Sequence, residues 1–492
     1  VEGQNPLLYA QPKQSLEERG MTAFDRDFTM TIGGHPVPGG ATIPVLNPAT
    51  EEAVAEAPDC SAAELDAAVA AARAAFPGWR ATPIERRRVA VAKIAEVIST
   101  NLDQFARLFT QEQGRPVAKA TEELLGAAFW AASVAKQEIP VLVNEDTPDR
   151  RSETRRVPIG VVGGIVPWNF PMLLGVWKFA GALLTGNTLV IKPSPFTPLT
   201  MLKLGELMRP HLPAGVFNVV SGGDQLGPWM TAHPGIDKIS FTGSTATGKR
   251  VMASAAANLK RVTLELGGND AAIVLGDVDV AKVAEPLFWS AFGNNGQVCI
   301  ATKRLYIHDT AYDALAAELA AIAKRVKIGN GLEQGTDLGP VQNRAQYERV
   351  KALIADAQAE GLTFLAGGEV SEGKGYFVPV TLVDNPPEDS RVVAEEAFGP
   401  VLPLIRFDDV EDVIARANNS DYGLAGSVWS TDTDAALAIA ERLDTGTVWI
   451  NEAQHVTPWA PFGGHKQSGI GVENGTEGLL EYTNAQTISV RK

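Results

Sequence analysis

Cys299 lies in the polar, glycine-containing segment Phe292-Gly293-Asn294-Asn295-Gly296-Gln297-Val298-Cys299, in a chain of 492 residues with only two cysteines. A structural cysteine usually sits in an apolar run. A nucleophilic one needs a polar pocket, backbone donors close by and a base within reach. A lone cysteine is weak evidence by itself. Thr263-Leu-Glu265-Leu-Gly-Gly268 supplies a candidate base, a carboxylate at the end of an otherwise apolar strand. Burial raises a carboxyl pKa, which suits a general base working near neutrality. The glycine pair after it lets backbone approach a ligand closely.

Pro167-Trp168-Asn169-Phe170-Pro171 places an uncharged amide between a strand and a helix. Asn169 could cap that helix or donate its N–H₂ to an oxyanion. Lys178 falls on the apolar helix that follows, from which it could snorkel to the surface. Gly243-Ser-Thr-Ala-Thr-Gly248-Lys249 is nearly a phosphate-binding loop, but Arg250 stands where magnesium chemistry needs Ser or Thr. That argues against a nucleotide triphosphatase. A glycine-bounded turn feeding a helix still offers N–H groups to phosphate. No G-x-G-x-x-G run is present. Glu395-Glu396-Ala397-Phe398-Gly399-Pro400 reads alone as a solvated helix end, whereas Pro461 to Gly469 is too glycine-rich for filler. The six histidines show no metal-ligand spacing, and no metal is expected.

These residues need a scaffold. The length suggests two to four domains, and 45% hydrophobic with 21% charged residues reads as globular. A net charge of −15 argues against nucleic acid. The few cysteines fit a reduced, cytoplasmic setting. Residues 1–20 read as a leader of unknown role, with Met21 as a candidate natural start. Val157 to Trp177 carries no charge, yet its prolines and glycines read as strand, turn and helix, not a membrane span. Ser61-Ala-Ala-Glu64 is a capping box opening a helix to about Phe76. Helical patterns follow at 84–100, 102–112 and 118–138. From Val161 onward strands at 161–166, 189–192, 216–220, 236–241 and 261–266 alternate with helices, which predicts a doubly wound parallel sheet. A second α/β block has strands near 303–307, 377–382, 402–406, 426–429 and 447–450, with helices at 310–326, 343–360 and 433–443. Alternation in Ala485 to Val490 predicts a terminal strand able to pair with another sheet edge, a partner subunit's included.

PWNFP, IKPS, FTGS, LELGG, GQVC, EEAFGP and PFGGHKQSG, in this order, resemble the aldehyde dehydrogenase superfamily from about residue 30 to the end. The resemblance implies an α/β fold of three parts. These are an NAD(P)-binding domain (21–142 and 158–266), a catalytic domain (267–470) and oligomerisation strands (143–157 and 478–492). It implies that Cys299 attacks an aldehyde carbonyl, that Asn169 and the Cys299 N–H hold the oxyanion, and that hydride leaves for nicotinamide to give a thioester. Glu265 would then activate the hydrolytic water, and Lys178 would support the proton path. Lys192 would hold the adenosine ribose, Gly243 and Ser244 the pyrophosphate, and Glu396 the nicotinamide ribose with Phe398 beside it. Ile165, Val166, Pro167, Trp168, Ser194, Pro195, Gly227, Phe241 and Leu266 would complete the cofactor site.

One departure stands out. NAD-preferring members carry Glu three places after the lysine, and this chain has Pro195. Proline cannot accept the ribose hydroxyls. NAD is still expected, because no arginine accompanies Lys192, and Pro195 leaves NADP open. By position, Phe170, Leu174, Trp177, Val298, Ile300, Val456, Trp459 and Phe462 would line an apolar substrate pocket. Gly175 and Gly293 would leave room in it. An aromatic or medium-chain hydrophobic aldehyde is the expected substrate. The alternatives are an NADP-specific semialdehyde dehydrogenase, a cofactor-independent cysteine esterase and a non-catalytic binding protein on the same fold. The resemblance also implies a homodimer or homotetramer.

Overall fold

A computed structural model describes Phe24 and residues 26–492 of the chain; the leader at 1–20 and Met21 lie outside the described residues. Two parallel sheets carry the site. In the first, Phe217–Val219, Thr188–Lys192, Val161–Ile165, Lys238–Thr242 and Arg261–Glu265 run parallel in that spatial order. Met30–Ile32 and His35–Val37 extend one edge antiparallel, and Gly469–Ile470 closes the other against Leu264 and Glu265. The segment at 469–470 thus belongs to the first sheet, although the strands before it in sequence build the second.

The second sheet has the order Thr363–Ala366, Thr381–Asp384, Val401–Phe407, Thr302–His308, Asp270–Val274, Ala425–Trp429 and Thr447–Ile450. All its pairings are parallel except that of Thr363–Ala366. Side chains of Asp270–Val274 alternate between two cores. Ala271 and Ile273 pack with Tyr306 on one face, while Ala272 and Val274 pack with Leu305 and Ile307 on the other. Two buried faces explain why these strands read as continuous apolar runs. Asp270–Val274 and the helix Val280–Phe292 were not legible as elements: Gly267-Gly268 precedes the one and Pro286 interrupts the other.

Local signals held where the chain chemistry is strong. Ser61 and Glu64 form the capping box, but the helix runs Ala62–Ala81, through Pro77 and past Phe76. Its last turn is anchored because Trp79 is buried and its indole N–H donates to the Leu183 carbonyl at 3.1 Å. Val157 to Trp177 resolves into strand ends, the strand Val161–Ile165, a turn and the helix Pro171–Leu184 with Pro171 at its start. Among the described residues no helix is long and apolar enough to cross a membrane. The terminal strand Thr483–Arg491 pairs within the chain, antiparallel to Arg150–Pro158, which also pairs with Leu142–Asp146.

Candidate active site

The strand Arg261–Glu265 ends at Glu265, whose carboxylate is buried with neither oxygen hydrogen-bonded. Desolvation pushes its pKa up to about 7, against the opposing pull of the Cys299 thiol and the Lys178 ammonium. The chain then turns through Gly267 and Gly268. A Cβ on Gly267 would collide with the Glu396 carboxylate, and one on Gly268 would meet the Cys299 carbonyl at 2.9 Å. Only glycine lets these three segments converge. Glu396 Oε1 accepts the Gly268 N–H at 3.1 Å.

Ser468 locks the turn from the glycine-rich loop. Its hydroxyl donates to the Gly267 carbonyl at 2.7 Å, its carbonyl accepts from Leu266 N–H at 2.9 Å, and it is fully buried. That role was hidden in a loop whose residue types alone name no partner.

Cys299 follows a short turn in which Asn294 and Asn295 take positive φ. The residue is half-buried. Desolvation and then the neighbouring Glu265 carboxylate hold its pKa well above the ordinary thiol value, with Lys303 opposing. The thiol and the carboxyl therefore share one pocket in which only one charge is readily accommodated.

Asn169 donates its side-chain N–H to the Gln297 carbonyl at 3.0 Å, which sets the amide beside the Cys299 turn. It does not cap the helix Pro171–Leu184. Glu123 does so instead, its Oε1 accepting the Met172 and Leu173 N–H groups at 3.1 Å each. Glu123 pairs with Arg115 at 2.6 Å, both buried. Arg115 donates to the Asn169 carbonyl and lies 4.4 Å from the Phe170 ring centroid. This buried pair fixes the Asn169–Phe170 turn. Sequence reading missed it because Arg115 and Glu123 resemble ordinary surface charges. Glu123→Gln is expected to cost about 3 kcal/mol of stability by stranding a buried guanidinium. Urea denaturation of the variant checks this.

Lys178 does not snorkel: it is fully buried. Its ammonium donates to Ser240 Oγ at 3.2 Å, Thr242 Oγ1 at 2.9 Å and Glu473 Oε1 at 2.9 Å. Glu473 is itself buried and also accepts from Ser240 and Tyr482. Glu473 lies far along the chain and carried no local signal.

A cleft of ≈ 620 Å³ is lined by Pro167, Trp168, Asn169, Gly243, Ser244, Glu265, Leu266, Cys299, Glu396 and Phe398, with Thr242, Gly267, Gln346 and Arg349. Of the expected cofactor residues, Ile165, Val166 and Phe241 lie behind it in the core. Phe241 fills the space that a Cβ on Gly243 would need. Ser244 caps the helix Thr245–Ala256 by accepting the Thr247 N–H. Trp168 and Phe398 meet edge to face with centroids 5.4 Å apart. Lys192, Ser194, Pro195 and Gly227 do not line this cleft. Lys192 ends its strand buried, its pKa lowered to about 8 by desolvation against the pull of Asp224 and Asp59.

A second cavity of ≈ 1090 Å³ lies beside the neighbouring residues Phe170 and Val298, and is also lined by Leu173, Trp289, Gly293 and Gln454. Of the expected substrate residues it brings together Phe170, Gly293 and Val298. Leu174, Trp177, Ile300, Val456, Trp459 and Phe462 do not line it. Trp177 instead packs against Trp130 and Phe462, while Trp459 is 62% exposed and packs on Phe129. Gly293 faces open space, as expected of a residue leaving room. Gly175 does not: a Cβ there would strike the Met201 methyl in the core. Its helix position turns it away from the cavity. Among the described residues no His, Cys, Asp and Glu group could hold a metal ion.

The arrangement combines a thiol, a desolvated carboxyl, an amide donor and a glycine-lined cleft. Comparison with known proteins gives it a family. The aldehyde dehydrogenase family model matches residues 37–488. A probable aldehyde dehydrogenase of a Pseudomonas species is 42% identical over 465 residues, spanning 94% of this chain and 95% of that protein. Phenylacetaldehyde dehydrogenase of Pseudomonas fluorescens is 39% identical over 94% of this chain and 95% of its own. The structure of a Bacillus cereus aldehyde dehydrogenase with NAD+ superposes with a TM-score of 0.93 at 37% identity, covering 97% of this chain and 99% of that one.

Proposed function

This chain belongs to the aldehyde dehydrogenase family, and from that premise we propose that it oxidises an uncharged aromatic or medium-chain aldehyde to its acid with NAD(P) as hydride acceptor. One observation carries the substrate class. Among the described residues, the cavity lined by Val298, which precedes Cys299, holds no unpaired cation: Arg115 is bound to Glu123, and Lys119 to Glu122 at 2.9 Å. A semialdehyde carboxylate would find no free partner, whereas Phe170, Leu173, Trp289 and Val298 present apolar surface.

The cleft fits a dinucleotide. Gly243 and Ser244 line it, and the Ser244-capped helix Thr245–Ala256 would offer its N-terminus to pyrophosphate. Glu396, which lines the same cleft, would accept from the ribose hydroxyls. When bound, the nicotinamide supplies a hydride acceptor. Cys299 Sγ attacks the aldehyde carbon, and the Asn169 amide donates to the oxygen as negative charge develops there. Loss of hydride leaves a thioester on Cys299. Glu265 takes a proton from the water that attacks this thioester, and Lys178 with Glu473 holds charge on the buried side of the site.

NAD is favoured over NADP only weakly, since Pro195 stands where NAD-preferring relatives carry the carboxylate that would repel a 2′-phosphate. The cytoplasm is the proposed compartment, from the scarcity of cysteine. A homo-oligomer is proposed because Leu142, Val143, Ile488 and Val490 expose apolar side chains on the small sheet. The test is reduced-nicotinamide formation with benzaldehyde, hexanal and succinic semialdehyde, each with NAD and with NADP. Benzaldehyde or hexanal is expected to exceed succinic semialdehyde in kcat/KM by about 100-fold or more. Equal turnover of succinic semialdehyde sinks the substrate class. Turnover with NADP alone makes Pro195 the cofactor determinant.

A further inference from the structure

Lys303 sits on the strand Thr302–His308, which should point it to the face opposite its neighbours. The pairing with Asp270–Val274 shows otherwise. Thr302 pairs with Asp270 and Arg304 with Ala271, so Lys303 is the extra residue of a bulge. Bulges re-aim a side chain and are found next to active sites. This one sends the Lys303 ammonium beneath the nucleophile turn, where it is buried. It donates to the Cys299 carbonyl at 2.6 Å, the Val298 carbonyl at 3.0 Å and the Ala301 carbonyl at 3.4 Å. On the other side it stands 3.5 Å from Glu396 Oε1.

We propose that Lys303 is a positioning residue that ties the backbone of the nucleophile to the carboxylate that receives the nicotinamide ribose. One ammonium reaches both elements. A flexible amine left to pack a turn needs only the carbonyls; the approach to Glu396 is what joins the two half-sites. The inference rests on the reading of Cys299 as nucleophile and Glu396 as the ribose ligand. Its electrostatic consequence is local. The charged groups that face the Cys299 thiol are Glu265 from the first sheet, Asp270 and Lys303 from the second, with Glu396 beyond Lys303. Lys303 is the positive member of this set, so it favours the thiolate.

The test uses the full-length protein with Lys303→Met, and Lys303→Gln as the variant that keeps a donor without the charge. Cys299 alkylation by iodoacetamide is followed across pH, and NAD binding by tryptophan fluorescence. Both variants are expected to move the alkylation midpoint upward. Lys303→Met is expected to weaken NAD binding about tenfold. In a cycle with Glu396→Gln, its effect on NAD binding shrinks to near nothing. An unchanged alkylation midpoint with unchanged NAD affinity overturns the proposal, as does full additivity with Glu396→Gln. If Lys303→Met does not fold, Lys303→Gln carries the same readouts. Wild-type protein that binds no NAD would sink the functional reading instead, and the alkylation profile would then still decide whether Lys303 governs the thiol.

Discussion

Cys299→Ala is expected to abolish both aldehyde oxidation and nitrophenyl ester hydrolysis, by about 10⁴-fold or more, while NAD still binds. The reason is covalent: in the proposed mechanism both reactions pass through an acyl group on Sγ, and alanine can form no such bond. Cys60 cannot substitute. It is buried just before the helix Ala62–Ala81, its thiol against the Ser61 carbonyl, and desolvation, with Glu64 and Asp59 adding to it, pushes its pKa up to about 12. A variant that retains ester cleavage would show that another group attacks, and the assignment of Cys299 would fail. Binding measured beside turnover separates loss of chemistry from loss of fold.

Glu265→Gln has the second large effect and a different signature. Steady-state turnover is expected to fall about 10²–10³-fold, with the first equivalent of reduced cofactor still released. The thioester then accumulates and shows in intact mass as a substrate acyl added to the chain. The same substitution removes a negative charge facing the thiol, so the alkylation midpoint of Cys299 should move down, opposite to Lys303→Met. Absence of the burst would assign Glu265 to thiol activation in place of hydrolysis. In the wild type the acid limb of kcat should centre near pH 7, where the buried carboxyl ionises, and it should vanish in the variant.

The sign for stability runs the other way. The folded pKa is raised, so below the ordinary carboxyl value Glu265 is neutral in both states and costs nothing. Between that value and about 7 the unfolded chain ionises first, and the folded state progressively loses stability as pH rises. Glu265→Gln should therefore be more stable than the wild type at pH 8 and nearly equal at pH 4, measured by urea unfolding at both. This opposition between stability and activity is the expected mark of a carboxyl placed for chemistry.

Much of the site was legible because its chemistry needs particular residue types in particular local settings. A cysteine outside an apolar run, a glutamate ending an apolar strand and glycine pairs that clear space are all local facts. So is the alternation that yields parallel strands, since burial on two faces enforces an apolar composition. These single out the candidate nucleophile and base, and they give the α/β class and, through the ordered motifs, the family.

What the tertiary structure alone decided are the groups whose roles depend on distant partners. Lys178 reads as a snorkelling lysine until Glu473 and Ser240 meet it in the interior. Arg115 and Glu123 carry no signal in the sequence, and only their closure over the Asn169 turn gives them a role. Lys303 reads as one lysine of a strand until a single-residue bulge turns it under Cys299. Gly175 reads as pocket space until Met201 fills its side of the helix. A charge's surroundings are set by what folds against it, and desolvation and pairing act across space where the sequence records only order along the chain.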